Sequence, residues 1–592
     1  MERKDIAQQL KWQTTDIFPC DEAWEEEFKA VESEYGNYDF SVFKGKLGDK
    51  ATLLTCFRLI DTISRRIEKL YLYAHLRHDE DLRVSKYTSA SAQMGAMISK
   101  IFAEFSFIEP ELTSLDDSVL QGFIADPDFA EYDYKLRKIA GAKAHVLSEA
   151  EEKLLTLGGD VMRDFQGVFS MLNNANLNLP KATLNGEEVQ MSHGLYGVAL
   201  HGMNGAERKE WFEKYYDAFI KLIDAIAQTY YSNVKKDVFS KTVRNYESCM
   251  AMAMDGEDVQ PIVYENLIKA VHEALPIVHE YISLRKEVTG LEEQHMYDIY
   301  VPLVENAEIK MPFEEAYNLV IEGLAPLGKD YQALLKKGRD ERWIDVCENE
   351  GKRSGAYSSG VYETHPYVLL NYQETTNDIF TIAHEMGHAL HTYKSNETQP
   401  YAKADYTIFL AEIASTVNEV LLLKHLYKNT EDKNLKKYLL NYYMDMIRAT
   451  LFRQSQFAEF EQIAHAKAEA GEPLTKESLC AVYYQLNKDY YGDGIIHDEQ
   501  IAYEWARIPH FYNSFYVYKY ATGITSAISI VKRILTEGQP AVDDYFKFLS
   551  SGGCTDPVTI LKGAGIDLTT DAPFKAAMEE FKNTLEEFKS LL

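Results

Sequence analysis

The stretch Ala383-His384-Glu385-Met386-Gly387-His388-Ala389-Leu390 sets two imidazoles four residues apart, with a carboxylate directly after the first. On a helix, positions i and i+4 share a face, so His384 and His388 aim two ring nitrogens at one point. Glu385 reaches a water held at that point. Two imidazoles with an adjacent general base are the makings of a catalytic metal site, and the chemistry is hydrolysis by an activated water. Catalytic zinc takes three protein ligands and keeps a fourth position for water. His391 does not supply the third. The three-histidine pattern HExxHxxGxxH needs Gly and His where this chain has His391 and Lys394. Glu412 lies downstream in the apolar run Phe409-Leu410-Ala411-Glu412-Ile413-Ala414, where a carboxylate is rarely buried without a partner. It completes a His-His-Glu set for one Zn2+ ion. Glu419, two turns further, falls on the same face and is placed to support a ligand from behind. Cobalt or manganese would also suit this N/O set. The competing readings are an amphipathic helix with incidental histidines and, for Glu412, a carboxylate favoured by the positive end of a helix dipole.

These residues need two helices and something to seat them. Asp378-Ile379-Phe380-Thr381-Ile382 reads as the capped first turn of the helix that carries the motif. Gly387 in its middle costs about 1 kcal/mol relative to Ala, which predicts a close neighbour there. Phe409 to Leu423 reads as the second helix. Upstream, Pro312 is expected to open a helix through about Lys337. The pattern then changes to short runs with strand character: Trp343-Ile344-Asp345-Val346-Cys347, Gly355-Ala356-Tyr357-Ser358-Ser359 and Tyr367-Val368-Leu369-Leu370-Asn371. A small sheet just before the motif helix offers an edge to which an extended peptide can add through backbone hydrogen bonds, whatever its side chains. A plain structural sheet is the alternative.

The rest of the chain is mostly helical in pattern. With 592 residues it is too long for one ordinary core, and at 46% hydrophobic it can bury a large one. Residues 21 to about 175 read as helix after helix, and 206 to 290 do so again. Asn185-Gly186 between two short strands is a hairpin signal, taken as the seam between an N-terminal helical lobe (1–200) and a catalytic region (201–592). The net charge of −30 argues against nucleic acid and anionic membrane as partners. The N-terminus lacks the apolar stretch of a secretory signal, and no apolar run approaches the ~18 residues of a membrane span. Six scattered cysteines without a CxxC fit a reducing, cytoplasmic location. Gly492-Asp493-Gly494 reads as a flexible loop. In the tyrosine-dense stretch that follows, Tyr512, Tyr516 and Tyr520 are spaced to share one helical face, with His510 just ahead of it. An aromatic core helix is the competing explanation.

Taken together, His384-Glu385-Met386-Gly387-His388, Glu412, Gly355-Ala356-Tyr357-Ser358, His365-Pro366-Tyr367-Val368-Leu369-Leu370-Asn371-Tyr372 and Ile508-Pro509-His510-Phe511-Tyr512 resemble oligoendopeptidase F, in the thimet-oligopeptidase family of zinc metallopeptidases. The resemblance runs from roughly residue 200 to the C-terminus, with a looser match over 110 to 190. It implies a mainly α, two-lobed peptidase with a deep central channel and a small β-sheet next to the HExxH helix. Such a channel would admit short, unfolded oligopeptides and exclude folded proteins. The implied activity is that of a zinc-dependent metalloendopeptidase. The implied roles are oxyanion and substrate contacts from His510 and from Tyr516 or Tyr520. Further substrate contacts are implied for Gly355, Ala356, Tyr357 and Tyr512. A third tyrosine expected from the family pattern falls near Gly523 here. Two alternatives stand beside this reading. A related helical zinc carboxypeptidase would use the same ligands and need a cation for the substrate carboxylate. A peptide-binding or metal-binding protein without turnover would not need Glu385.

Overall fold

The helical periodicity of the sequence becomes helix over most of the chain. The computed structural model describes residues 1–202, 204–304 and 309–592. Strands among them are few: a hairpin of β1 (Lys181–Leu184) and β2 (Glu187–Gln190), and a sheet of β3 (Ile344–Cys347), β4 (Tyr357–Ser359) and β5 (Tyr367–Tyr372). The mainly α class with small sheets is therefore as expected. Packing gathers the chain into two compact units. One comprises Met1–Val146, Glu308–Leu426 and Ile530–Ile566; the other comprises Leu147–Ala307, Tyr427–Ser529 and Asp567–Leu592. The division at residue 200 runs along the chain, whereas each unit closes its core with segments distant in sequence. Among the described residues no helix is long and apolar enough to cross a membrane.

In the first unit, the helix Lys50–Glu80 starts at Asp49, whose carboxylate accepts the Thr52 N–H at 2.9 Å. Its Ile63, Ile67 and Leu70 join Trp12 and Trp24 in a core that also takes in Tyr367 and Leu369 of β5. β5 is the central strand, parallel to β3 and antiparallel to β4. Its first four residues, Tyr367 to Leu370, are all buried, as a strand covered on both faces requires. By the pleat, Val368 and Leu370 face the side opposite Tyr367 and Leu369, and the motif helix packs on β4 and β5. The outer edge of β3 lies against Gln8–Leu10. Arg3 grips Asp345 of β3 through two hydrogen bonds of 3.1 and 2.6 Å. The ammonium of Lys352, fully buried, answers the same carboxylate at 2.7 Å and donates to the Cys347 and Leu370 carbonyls. β4 is the other edge strand of this sheet.

The motif helix spans Thr376–Thr398 and begins two residues before Asp378. Thr375 is the cap: its hydroxyl accepts the Asp378 N–H at 3.2 Å, while the Asp378 carboxylate accepts the Thr375 N–H at 2.9 Å. This reciprocal pair outcompetes a start at Asp378, which becomes the third helical residue. The helix expected from Pro312 to Lys337 is two helices, Phe313–Gly323 and Lys329–Asp340. Pro326 and Gly328 (φ 90°) between them break the ladder.

In the second unit, Asn185 (φ 53°) and Gly186 (φ 81°) turn the hairpin with the left-handed pair its sequence calls for. The hairpin docks on the helix Gly205–Ile220. Trp211 donates its indole N–H to the Thr183 carbonyl at 2.6 Å, and Glu207 accepts the Asn185 and Gly186 N–H groups at 2.9 and 3.0 Å. It lies inside this unit rather than at a seam. Gly492-Asp493-Gly494 forms a short 3-10 turn against the helix Pro261–Thr289, where a Cβ on Gly492 would meet the His279 imidazole at 2.7 Å.

Gly387 explains itself through the helix that carries Glu412, Ile408–Asn429. A Cβ on Gly387 would stand 2.6 Å from Ser415 Cα and 2.7 Å from the Ala414 carbonyl oxygen, both backbone. The two helices touch backbone to backbone. Alanine at 387 would gain about 1 kcal/mol of helix propensity, but forcing the helices apart costs roughly 1–3 kcal/mol or more. Gly387→Ala is therefore expected to melt at lower temperature. A variant with raised Tm would contradict this packing.

Candidate active site

The helix crossing brings the three expected ligands together. His384 Nε2 and His388 Nε2 are 3.2 Å apart, and Glu412 Oε2 lies 3.5 and 3.6 Å from them. Among the described residues this is the group of histidine, cysteine and acidic side chains placed to hold a metal ion. Metal–ligand lengths of about 2.0–2.1 Å around a tetrahedral ion put donor atoms about 3.3–3.4 Å apart. The observed triangle matches that spacing, and two imidazoles with one carboxylate are a zinc donor set.

The surroundings fix each ligand. Glu419 Oε1 meets His384 Nδ1 at 2.6 Å. This takes the ring proton on Nδ1 and leaves Nε2 free to face the triangle. Burial disfavours the charged form of His384, but the Glu419 carboxylate outweighs it and pushes the imidazole up to about 9. Burial also opposes ionisation of Glu412, yet the hydrogen-bonded His388 and nearby His384 hold its carboxyl below the usual value. Ser415 Oγ adds a contact of 3.3 Å to Glu412 Oε2. Asn418 Nδ2 donates to the Ala383 carbonyl at 2.9 Å, tying the second helix to the residue before His384. Sequence reasoning passed over Asn418, although an amide in an apolar helical run was the available signal.

Glu385 is only 7% exposed, and its Oε2 has no hydrogen-bond partner among the described residues. Burial raises its carboxyl above the ordinary range, against the pull of the two imidazoles. His391 is fully buried and stacks on Tyr406 with ring centroids 3.7 Å apart, which removes it from the ligand set on geometry as well as on pattern.

The strand motif turns its side chains inward. Tyr357 donates its phenol to buried Asp79 at 2.9 Å. Gly355 (φ 84°) offers its carbonyl to Asn371 Nδ2 at 2.8 Å, which also holds the Arg353 carbonyl. Ala356 carries no polar side chain.

In the second unit, His510, Tyr516 and Tyr520 form one cluster. Ring centroids are 6.0 Å apart for His510–Tyr516 and His510–Tyr520, and 5.6 Å for Tyr516–Tyr520; Tyr520 Oη is 3.5 Å from His510 Nε2. His510 is exposed, both tyrosines are partly so, and partial burial lowers the imidazole pKa. The shared helical face of Tyr512, Tyr516 and Tyr520 does not exist. Helix begins only at Tyr518, and Phe515 turns the chain with φ 59°. Tyr512 goes instead into the core, where it stacks on Phe169 at 4.5 Å and its hydroxyl has no partner among the described residues.

Known proteins resemble this chain over its length. The profile described as Peptidase family M3 matches residues 199–580, and that of Oligopeptidase F matches 111–178. The chain is 42% identical to Oligopeptidase PepF of Bacillus subtilis, over all of this chain and 88% of that protein. It is 38% identical to an Oligoendopeptidase F homolog of Lactococcus lactis, over all of this chain and 98% of that one. The crystal structure of oligoendopeptidase-F from Enterococcus faecium superposes with a TM-score of 0.73 at 32% identity, covering 97% of this chain and 99% of that one. With its HExxH helix, its Glu412 and these full-length relatives, the chain belongs to peptidase family M3, among the oligoendopeptidase F peptidases.

Proposed function

We propose that this chain is a zinc-dependent endopeptidase that hydrolyses short, unfolded oligopeptides. The observation that carries the reading is the triangle of His384, His388 and Glu412, with the unpartnered Glu385 oxygen held beside it by the same helix. When bound there, zinc supplies Lewis acidity, which makes water a nucleophile near neutral pH and polarises a peptide carbonyl. Glu385 takes the proton of the attacking water and returns it to the leaving amine. Glu419 keeps His384 in the tautomer that can ligate. His510, with Tyr516 or Tyr520, donates to the oxyanion developing on the scissile carbonyl. The peptide lies along β4 as an added strand, held by backbone hydrogen bonds, so its side chains matter little. Six free cysteines and the absence of a membrane-length helix among the described residues are compatible with a reducing, cytoplasmic setting.

Chelation is expected to abolish hydrolysis of a blocked peptide, and one equivalent of zinc to restore it. Glu412→Ala should lose the metal; full zinc occupancy in that variant would remove Glu412 from the ligand set. Because the His384 imidazole is held at about 9, zinc must displace its proton below that pH. Apparent zinc affinity should therefore fall by about tenfold per pH unit for each proton displaced as the pH drops from about 8 to about 6. Competition with a chelator at each pH measures this, and a flat profile would count against it.

Glu385→Gln preserves shape and leaves the ligands intact. Zinc content and peptide binding are expected to persist while turnover falls by about 10²–10⁴-fold. Near-native turnover would take Glu385 out of the reaction.

His510→Ala and Tyr516→Phe or Tyr520→Phe test the oxyanion donors. The dominant donor should lower kcat by about 10²-fold or more with little change in KM, since the contact forms only in the transition state. Native kcat in all three variants, with unchanged melting, would place the donor elsewhere.

A further inference from the structure

Phe515 lies between His510 and Tyr516 with φ 59°, a left-handed value that a bulky aromatic resists. Two helices of the second unit hold it there. From the helix Arg453–Glu469, Glu461 accepts the Phe515 N–H at 3.1 Å, and His465 packs on the Phe515 ring with centroids 4.6 Å apart. From the helix Ile223–Val243, Asp237 accepts the Ser514 hydroxyl at 2.7 Å, and Asn233 Nδ2 lies 3.4 Å from both Ser514 Oγ and the Phe511 carbonyl. His465 Nε2 meets Asp237 at 3.3 Å and links the two sides.

Glu461 is an expensive residue for this place. It is fully buried, its second carboxyl oxygen has no hydrogen-bond partner among the described residues, and burial drives its pKa well above the ordinary range. A buried acid with a single donor destabilises a core, and an apolar side chain of the same size would pack there without that cost. The one thing Glu461 does that an apolar residue does not is accept the Phe515 N–H.

We propose that Glu461 is a positioning residue for the peptidase reaction: by accepting the Phe515 N–H it holds the left-handed turn that sets His510 against Tyr516 and Tyr520. The inference rests on the reading of those three side chains as donors to substrate. Without the acceptor, Phe515 relaxes to negative φ and the chain leaves the turn in a new direction. Tyr516 and the start of the following helix then swing away from His510. A displacement of about 1 Å in such a constellation costs about 10²-fold in rate.

Glu461→Met removes the acceptor at similar volume, and Glu461→Gln keeps a carbonyl oxygen in its place. In the zinc-loaded full chain, Glu461→Met is expected to fold and to lower kcat by about 10- to 10²-fold, with KM changed by less than about threefold and zinc content unchanged. Glu461→Gln is expected to stay within about threefold of the native rate. Should Glu461→Met fail to fold, Ser514→Ala loosens the same turn from the Asp237 side and carries the same kcat signature at about 3- to 10-fold. Native turnover in a folded Glu461→Met, a Gln variant as slow as Met, or a loss confined to KM overturns the proposal; where Met does not fold, native turnover in Ser514→Ala does so. His510→Ala is measured in parallel. If it turns over at the native rate, the donor assignment itself fails. If it is slow while Glu461→Met is native, only the positioning role fails.

Discussion

Two helix backbones in van der Waals contact at Gly387 and Ser415 decide the geometry of the metal triangle. His384 and His388 flank that contact on one helix, and Glu412 lies one turn before it on the other. A side chain at 387 would hold the axes apart, and a glutamate has little reach to spare. The contact is reinforced where it matters, by Asn418 on the Ala383 carbonyl and by Glu419 on His384. One pair of helices thus supplies three candidate ligands, the candidate base and the carboxylate that meets His384 Nδ1. The helix-propensity cost of glycine is the small price of that approach.

The sheet supports the motif helix, which packs on β4 and β5. β5 is buried on both faces and fixes where β4 lies. Tyr357 of β4 donates its phenol to Asp79, and Asn371 occupies the Gly355 carbonyl.

The second cluster is held by strain and burial rather than by regular structure. His510, Tyr516 and Tyr520 converge because Phe515 reverses the chain between them, and that reversal is stabilised by Glu461, Asp237 and His465 from two separate helices. Polar groups with such poor returns for stability are retained where a particular backbone shape is needed. The two clusters of candidate site residues are therefore positioned by opposite means: close packing of ideal helices in one, a clamped irregular turn in the other.

The sequence by itself named the candidate metal ligands, and the structure brings His384, His388 and Glu412 together. HExxH on a helix is a local relation with a fixed period, Gly387 announced a close neighbour, and a lone carboxylate in an apolar run identified Glu412. Helix and strand types were legible for the same reason, since periodicity is local. What failed was also local reading, applied where distant residues decide. The i, i+4 spacing of Tyr512, Tyr516 and Tyr520 suggested one helical face, but Phe515 takes a left-handed φ, with its N–H on Glu461 and the neighbouring Ser514 hydroxyl on Asp237, and Tyr512 stacks on Phe169 in the core. The hairpin looked like a seam until Trp211 and Glu207 claimed it for the helix beyond it. Only the tertiary structure decides such cases. A non-helical turn has no sequence period, and the hydrogen bonds that make it worth forming come from elements whose approach no spacing along the chain records.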